Sequence, residues 1–415
     1  MRITTTASHC YRLHDHDRRF AVWPLGIVLV AIVSAATACH DDAMKSNPMA
    51  PASPGLAVGG DGTWMVNSLA DPGDGACTNS ECTLREAIAA AQSGERITFK
   101  NNLHGTIALT AGQLTVANGL AIDGPGPDRL AISGQNASRV FQIDPGPGVT
   151  ISSLTITGGK AAGSAGGGIQ VAVDGRLTLI GSMVTGNSAE FDGGGINAGG
   201  TLTLVGTTIA GNTANTGGGV NSSGMLTVSR STVSGNTADE GGGIRIICDL
   251  ICSVAISSST ITANTATEGA GGMFFFTTTG TVFNTIIAGN RANGTSTDPT
   301  ADCFEIGLES LGFNLSGSAT GCDMVTTTDF LVAPSQVFSA VLEPVLAANG
   351  SPRKTHALIE RGYAVDAGYC PGTNGHQRGF PRPYDDPRMP NALDGCDIGA
   401  FEWQPAGTKI KGPKP

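Results

Sequence analysis

One phrase recurs through the middle of the chain and leaves little freedom in architecture. It runs Leu177-Thr-Leu179 to Asn187, Leu202-Thr-Leu204 to Asn212, Leu226-Thr-Val228 to Asn236, Val254-Ala-Ile256 to Asn264, and Val282 to Asn290. The Asn positions step by 25, 24, 28 and 26 residues. Self-similarity at that period means a solenoid, because one such unit cannot bury its apolar face alone. Between the phrases stand Gly193-Gly-Gly-Ile196, Gly217-Gly-Gly-Val220, Gly241-Gly-Gly-Ile244 and Ala270-Gly-Gly-Met273.

The Leu-Thr-Leu alternation has the period of a strand and not of a helix. Each unit offers three short strands: the residues after the glycines, the Leu-Thr-Leu run, and the run ending in Ile or Val. Three strands in about 24 residues make one coil of a parallel β-helix. Stacking would place Val184, Ile209, Val233, Ile261 and Ile287 in one aliphatic column, and Leu179, Leu204, Val228 and Ile256 in another. The recurring Asn187, Asn212, Asn236, Asn264 and Asn290 are expected to form a structural ladder at a corner, with left-handed backbone at the Asn itself. The triple glycines supply positive φ or close backbone approach at another corner.

Composition fits this reading. Gly accounts for 60 of 415 residues, charged residues for 14% and aromatic residues for 5%. A hydrophobic share of 40% in regular places excludes disorder. Net charge is 24 − 34 = −10 with no basic stripe, which excludes nucleic acid as a partner. Residues 97–156 continue the alternating texture less regularly. Ahead of them, Thr83 to Gln92 reads as a helix with Leu84, Ala87, Ile88 and Ala91 on one face and a Thr83/Glu86 capping box. Such a helix suits the cap that an open solenoid end requires.

The N-terminus carries a targeting segment. Arg2, Arg12, Arg18 and Arg19 precede an apolar run from Phe20 to Ala38, which ends in small residues before Cys39. This resembles a bacterial lipobox, which implies removal of residues 1–38 and lipid attachment at Cys39; an uncleaved membrane anchor is the alternative. His40 in place of Asp points to the outer membrane or cell surface, with a periplasmic or secreted protein as the alternative. Residues 39–62, rich in Pro, Ala, Ser and Gly, read as a flexible tether.

Eight further cysteines remain after Cys10 and Cys39: Cys77, Cys82, Cys248, Cys252, Cys303, Cys322, Cys370 and Cys396. An even count in an exported chain suggests disulfides. Nearness in the chain suggests 77–82, 248–252, 303–322 and 370–396 among the 105 possible connectivities. Zinc needs two thiol pairs that converge, and the two close pairs lie far apart in the chain, so no metal or other cofactor is expected.

Cys82-Thr-Leu-Arg-Glu-Ala87 is similar to the signature of the bacterial CSLREA domain, with Thr83 where that signature has Ser. The coils resemble right-handed parallel β-helix proteins of the pectin-lyase-like class. Thr355-His-Ala-Leu358, Val365-Asp-Ala-Gly368, Gln377-Arg-Gly379 and Cys396-Asp-Ile-Gly-Ala-Phe-Glu402 resemble a choice-of-anchor Q domain, although the flanks around Ser351–Arg361 depart from it. These resemblances imply a CSLREA-like cap over 63–100, β-helix coils over 101–300, a choice-of-anchor Q-like module over 301–403 and a basic tail over 404–415. The expected fold is all-β: a single-stranded right-handed parallel β-helix with a short N-terminal capping helix.

Many β-helix proteins act on polysaccharides, so acid–base groups need weighing. Asp192 and Glu240 each directly precede a triple glycine, with Thr216 between them, which stacks them two coils apart. At about 4.8 Å per coil their separation is about 10 Å, at the outer edge of the spacing an inverting pair uses. Arg245 is the one cation just after a triple glycine. These three are the candidates for a polysaccharide lyase or glycoside hydrolase; as solvated face residues they carry no reaction. The leading reading is a monomeric, non-catalytic, lipid-anchored surface protein whose rigid face binds glycans, host surface or envelope components.

Overall fold

The computed structural model describes residues 58–405 apart from 60–61, 249–251, 319, 323–325 and 373–374. The signal segment, Cys39 and the tail lysines lie outside the described residues. The remainder is a parallel β-helix whose coils present three strand faces. The first face holds Phe141–Ile143, Ile169–Val171, Ile196–Ala198, Val220–Ser222 and Ile244–Ile247, then the starts of Met273–Phe283 and Cys303–Ser310. The second holds Arg176–Ile180, Thr201–Val205, Leu226–Ser229 and Val254–Ser257 with their neighbours. The third is a ladder of ten strands from Gly105–Ala108 to Phe330–Leu331. Coil-to-coil pairing is parallel; the antiparallel strand pair is Val58–Gly59 on Thr63–Val66. Parallel pairing already includes Thr63–Val66 with Arg96–Phe99 and continues to Leu315–Ser316 with Phe330–Leu331.

In-register stacking produces the aliphatic columns. Ile107, Ile132, Ile156, Val184, Ile209, Val233, Ile261 and Ile287 align on the third face and are all buried. On the second face Ile97, Ile122, Ile151, Leu179, Leu204, Val228, Ile256 and Val282 do the same. Burying one such side chain contributes roughly 1.5–3 kcal/mol, so the columns are the main source of cohesion. The helix Leu84–Ala90 puts Leu84, Ala87 and Ile88 into the same core. Its capping box is formed: Thr83 N donates to Glu86 Oε2 at 2.8 Å, and Thr83 Oγ1 accepts from Glu86 N at 3.3 Å.

The asparagine corner differs from expectation in one respect. The left-handed residue is the one before each Asn: Gly186, Gly211, Gly235, Ala263 and Gly289, with φ between 56° and 76°. That residue makes the turn, which frees the Asn side chain to point inward along the solenoid axis. Asn236 shows the pattern: its Nδ2 donates to the Ile209 carbonyl at 3.0 Å and to Asn264 Oδ1 at 2.9 Å. Its own Oδ1 accepts from Asn212 N at 3.0 Å and Asn212 Nδ2 at 2.9 Å. The same bonds join Asn187 to Asn212 and Asn264 to Asn290. The triple glycines close the neighbouring corner: Gly193, Gly217 and Gly241 have φ near 60° to 66°. A Cβ on Gly194 would stand 2.4 Å from the Thr213 carbonyl oxygen, so a side chain there is excluded.

The ladder ends on a carboxylate. Asp302 Oδ1 accepts from both Asn290 N and Asn290 Nδ2 at 2.9 Å, and Asp302 is buried. Burial pushes its carboxyl up to about 6. The unfolded value is about 3.9, so the native state holds this proton longer, and stability that is complete below pH ~4 is lost as pH rises through ~6. Asp302→Asn, which keeps the ladder acceptor and cannot ionise, is expected to gain about 2–3 kcal/mol relative to wild type between pH 4 and pH 7. Urea unfolding at the two pH values measures this; a difference that does not change with pH would contradict it.

Beyond Leu331 the chain doubles back over the third face. Val337, Val341, Leu342, Leu358, Ile398 and Phe401 form a second core with Ile286, Ala288 and Leu315. Several outward hydroxyls of the third face are thereby buried and paired, while that of Thr262 is buried without a partner among the described residues. Gln377 Nε2 donates to Thr208 Oγ1 at 2.9 Å, Thr232 Oγ1 donates to Gln377 Oε1, and Ala400 N donates to Thr260 Oγ1 at 3.1 Å. His356 Nε2 meets Ser234 Oγ at 2.8 Å. Disulfides join Cys77 to Cys82, Cys248 to Cys252, Cys303 to Cys322 and Cys370 to Cys396.

Candidate functional site

With much of the third face covered, the first face carries an ordered outward array, buried at Asn221, half-buried at Arg245 and exposed at Phe304. One residue past the first strand position of each coil, the side chain points out of the solenoid. Register places Gln142, Gln170, Asn197, Asn221, Arg245, Phe274 and Phe304 in one line. The amides are bonded along that line: Asn197 Nδ2 to Gln170 Oε1 at 3.0 Å, Asn221 Nδ2 to Asn197 Oδ1 at 2.7 Å, and Arg245 Nη1 to Asn221 Oδ1 at 3.2 Å. Next comes a stack of two rings, Phe274 on Phe304, with centroids 5.1 Å apart and planes 17° from parallel. Phe304 is 40% exposed and Phe276, on the same strand as Phe274, 50%. Ring stacking adds to the hydrophobic gain by covering one side of each ring, yet Phe304 and Phe276 keep apolar surface in water.

Two of the acid–base candidates belong to this array. Glu240 Oε2 lies 3.3 Å from Arg245 Nε in an ion pair. Glu240 and Phe274 flank Gly269, whose Cβ, if present, would stand 3.3 Å from the Glu240 side chain and 3.2 Å from the Phe274 ring. Asp192 is on the same corner column, paired to Thr216, which pairs in turn to Glu240. Its Oδ1 accepts from Thr216 Oγ1. The structure thus joins Glu240 and Arg245 directly and leaves Asp192 two rungs away, with a different partner.

The C-terminal module gathers a second, buried set of charges. Arg382 Nε sits 3.0 Å from Glu402 Oε2 with both side chains almost fully buried. Arg382 Nη2 donates to the carbonyls of Gly399 and Phe401. Glu402 also accepts from Tyr384 N at 2.7 Å, and burial pushes its carboxyl up to about 7. Asp397 accepts from Asp366 N at 2.8 Å and from Trp403 N, and burial, with Glu402 beside it, raises its carboxyl strongly. Asp366 accepts from Asp386 N at 3.1 Å, and burial pushes its carboxyl up to about 6. His356 is held between Ser234 Oγ and the Glu343 carbonyl, and burial lowers its imidazole. These groups fasten the module to itself and to the β-helix.

Sequence reasoning singled out Arg245 but missed the line it belongs to. The signal was present in the phrases themselves: the residue after Gly-Gly-Gly-Ile or its equivalent is Asn197, Asn221, Arg245 or Phe274 in successive coils. The buried charges around Arg382 had no comparable repeat to reveal them.

Fold and site define an all-β parallel β-helix with an amide, arginine and aromatic line along the outer side of one face. No protein-family model matches the chain, and no curated protein matches it. Among solved structures, that of pectate lyase Pel9A is similar at 12% identity and a TM-score of 0.40, over 84% of this chain and 98% of that chain.

Proposed function

We propose that the protein is a non-catalytic, glycan-binding β-helix, exported and tethered to the outer membrane or cell surface through lipid on Cys39. The observation that carries the binding role is the continuous outward line from Gln170 through Asn197, Asn221 and Arg245 to the Phe274–Phe304 stack. Amide side chains and an Arg–Glu pair offer donors and acceptors suited to sugar hydroxyls, while the exposed aromatic surface of Phe304 and Phe276 suits the apolar side of a pyranose. The parallel stacking repeats these groups every ~4.8 Å along a straight axis, which favours an extended chain over a compact ligand. The non-catalytic role is supported by the engagement of the acid–base candidates: Arg245 is held by Glu240 and Asn221, and Asp192 by Thr216.

A glycan array probed with the mature protein tests this. Phe274→Ala/Phe304→Ala is expected to weaken binding of any glycan hit by about tenfold or more, equivalent to about 1.4 kcal/mol, with the unfolding midpoint little changed. Binding indifferent to that double variant, or no glycan bound at all, would refute the reading. Release of unsaturated or shortened products from a bound polysaccharide would instead favour the β-helix lyase or glycoside hydrolase reading.

A further inference from the structure

The corner that joins the second face to the third is left-handed in successive coils: Ser153, Gly181, Gly206, Arg230, Ser258, Asn284 and Phe313 have φ between 46° and 58°. Glycine adopts this conformation freely, whereas a residue with a Cβ is disfavoured there. Arg230 is the one cation in the series. Its Nη1 donates to the Gly375 carbonyl at 3.3 Å, and among the described residues it has no carboxylate partner.

Arg230 opens into a cavity of about 190 Å³ at the seam between the β-helix and the C-terminal module, whose wall includes Arg382, Ser229, Ser257, Ser258 and Phe283. Arg382 Nε lies 3.0 Å from Glu402 Oε2 as an ion pair without a hydrogen bond, Nη2 donates to two carbonyls, and among the described residues Nη1 faces the weak acceptor Cys370 Sγ at 3.8 Å. Several guanidinium groups approach one another at the seam. Arg230 is lowered by burial and by the charge of Arg382, and Arg353 by burial and by the charge of Arg230. Burial, with Arg378, Arg382 and Arg353 around it, pushes the His376 imidazole down to about 2. Arg382 is compensated by Glu402, whereas the half-buried Arg230 has no carboxylate partner among the described residues in a chain of net charge −10.

We infer that this seam cavity is a binding site for a small oxyanion of the sulfate or carboxylate class. The Arg230 guanidinium and Nη1 of Arg382 supply charge-assisted donors, and the hydroxyls of Ser229, Ser257 and Ser258 complete the shell. At several times the ~30 Å³ that one water occupies, the cavity admits a single oxyanion with a few waters. It lies on a different corner from the Phe274–Phe304 line and stands independently of the glycan reading.

The test titrates the full mature protein with sodium sulfate and, separately, sodium acetate, each against sodium chloride at equal ionic strength, by calorimetry and thermal unfolding. Saturable binding and a rising midpoint with sulfate or acetate, and not with chloride, are expected, and the stronger of the two anions identifies the preferred geometry. Arg230→Gly installs what Gly181 and Gly206 already provide in neighbouring coils, so its midpoint without anion should equal or exceed that of wild type. Its response to sulfate and acetate should be lost. Arg230→Gln, which keeps the side-chain bulk, should weaken binding by about tenfold or more. Saturable binding that survives both substitutions, or an equal response to chloride, would overturn the site.

Discussion

Replacing Asn236 with Ala is expected to lower the unfolding free energy by about 3–5 kcal/mol, an exceptional loss for one side chain. Asn236 lies in the middle of the ladder and is fully buried. Its removal strands the Asn212 backbone N–H, one Asn212 amide hydrogen and the Ile209 carbonyl, which it bonds at 2.9–3.0 Å. Each buried group left without a partner costs about 1–3 kcal/mol. Urea unfolding monitored by circular dichroism measures the loss, and a change below about 1 kcal/mol would show that water replaces the amide without penalty.

A comparable loss is expected from Arg382→Met. The substitution preserves much of the stem's volume while removing the guanidinium that faces Glu402 and the carbonyls of Gly399 and Phe401. Breaking a buried pair from one side costs about 3–5 kcal/mol, because the remaining charge has no solvent. The loss should also depend on pH. Glu402, at about 7 in the folded chain, lies above its unfolded value of about 4.3. Its contribution is therefore complete below pH ~4 and is lost as pH rises through ~7. Without Arg382 nearby, Glu402 moves higher still, so the deficit should be larger at pH 8 than at pH 5. Denaturation of both proteins across that interval decides the matter; a deficit that shrinks with rising pH would contradict the assignment.

The coils were legible because each solves the same problem with the same residue at the same place. Val184, Ile209 and Val233 announce a column by recurrence, and so do Asn187, Asn212 and Asn236. The left-handed residue was placed one position late because Gly and Asn stand side by side and both tolerate that conformation; Ala263, which precedes Asn264, resolves the ambiguity. The docking of the C-terminal module was not legible. Its contacts join residues such as Gln377 and Thr232, 145 positions apart, and no periodicity links them. Arg230 was hidden for a related reason: its sequence context is an ordinary turn, and its meaning comes from Arg382 on the far side of the seam.

The covered third face has a consequence for how the gene can change. Repeat arrays commonly grow and shrink by whole units, since each unit touches only its neighbours. Here Gln377 grips Thr208 and Thr232, Ala400 grips Thr260, and Asn284 Nδ2 donates to the Asp397 carbonyl. A coil added between Thr208 and Asn284 would displace half of those partners by one rung, about 4.8 Å, and the module could satisfy only one end. The C-terminal segment therefore acts as a gauge that fixes copy number across the rungs it spans, and leaves length variation to the coils before it.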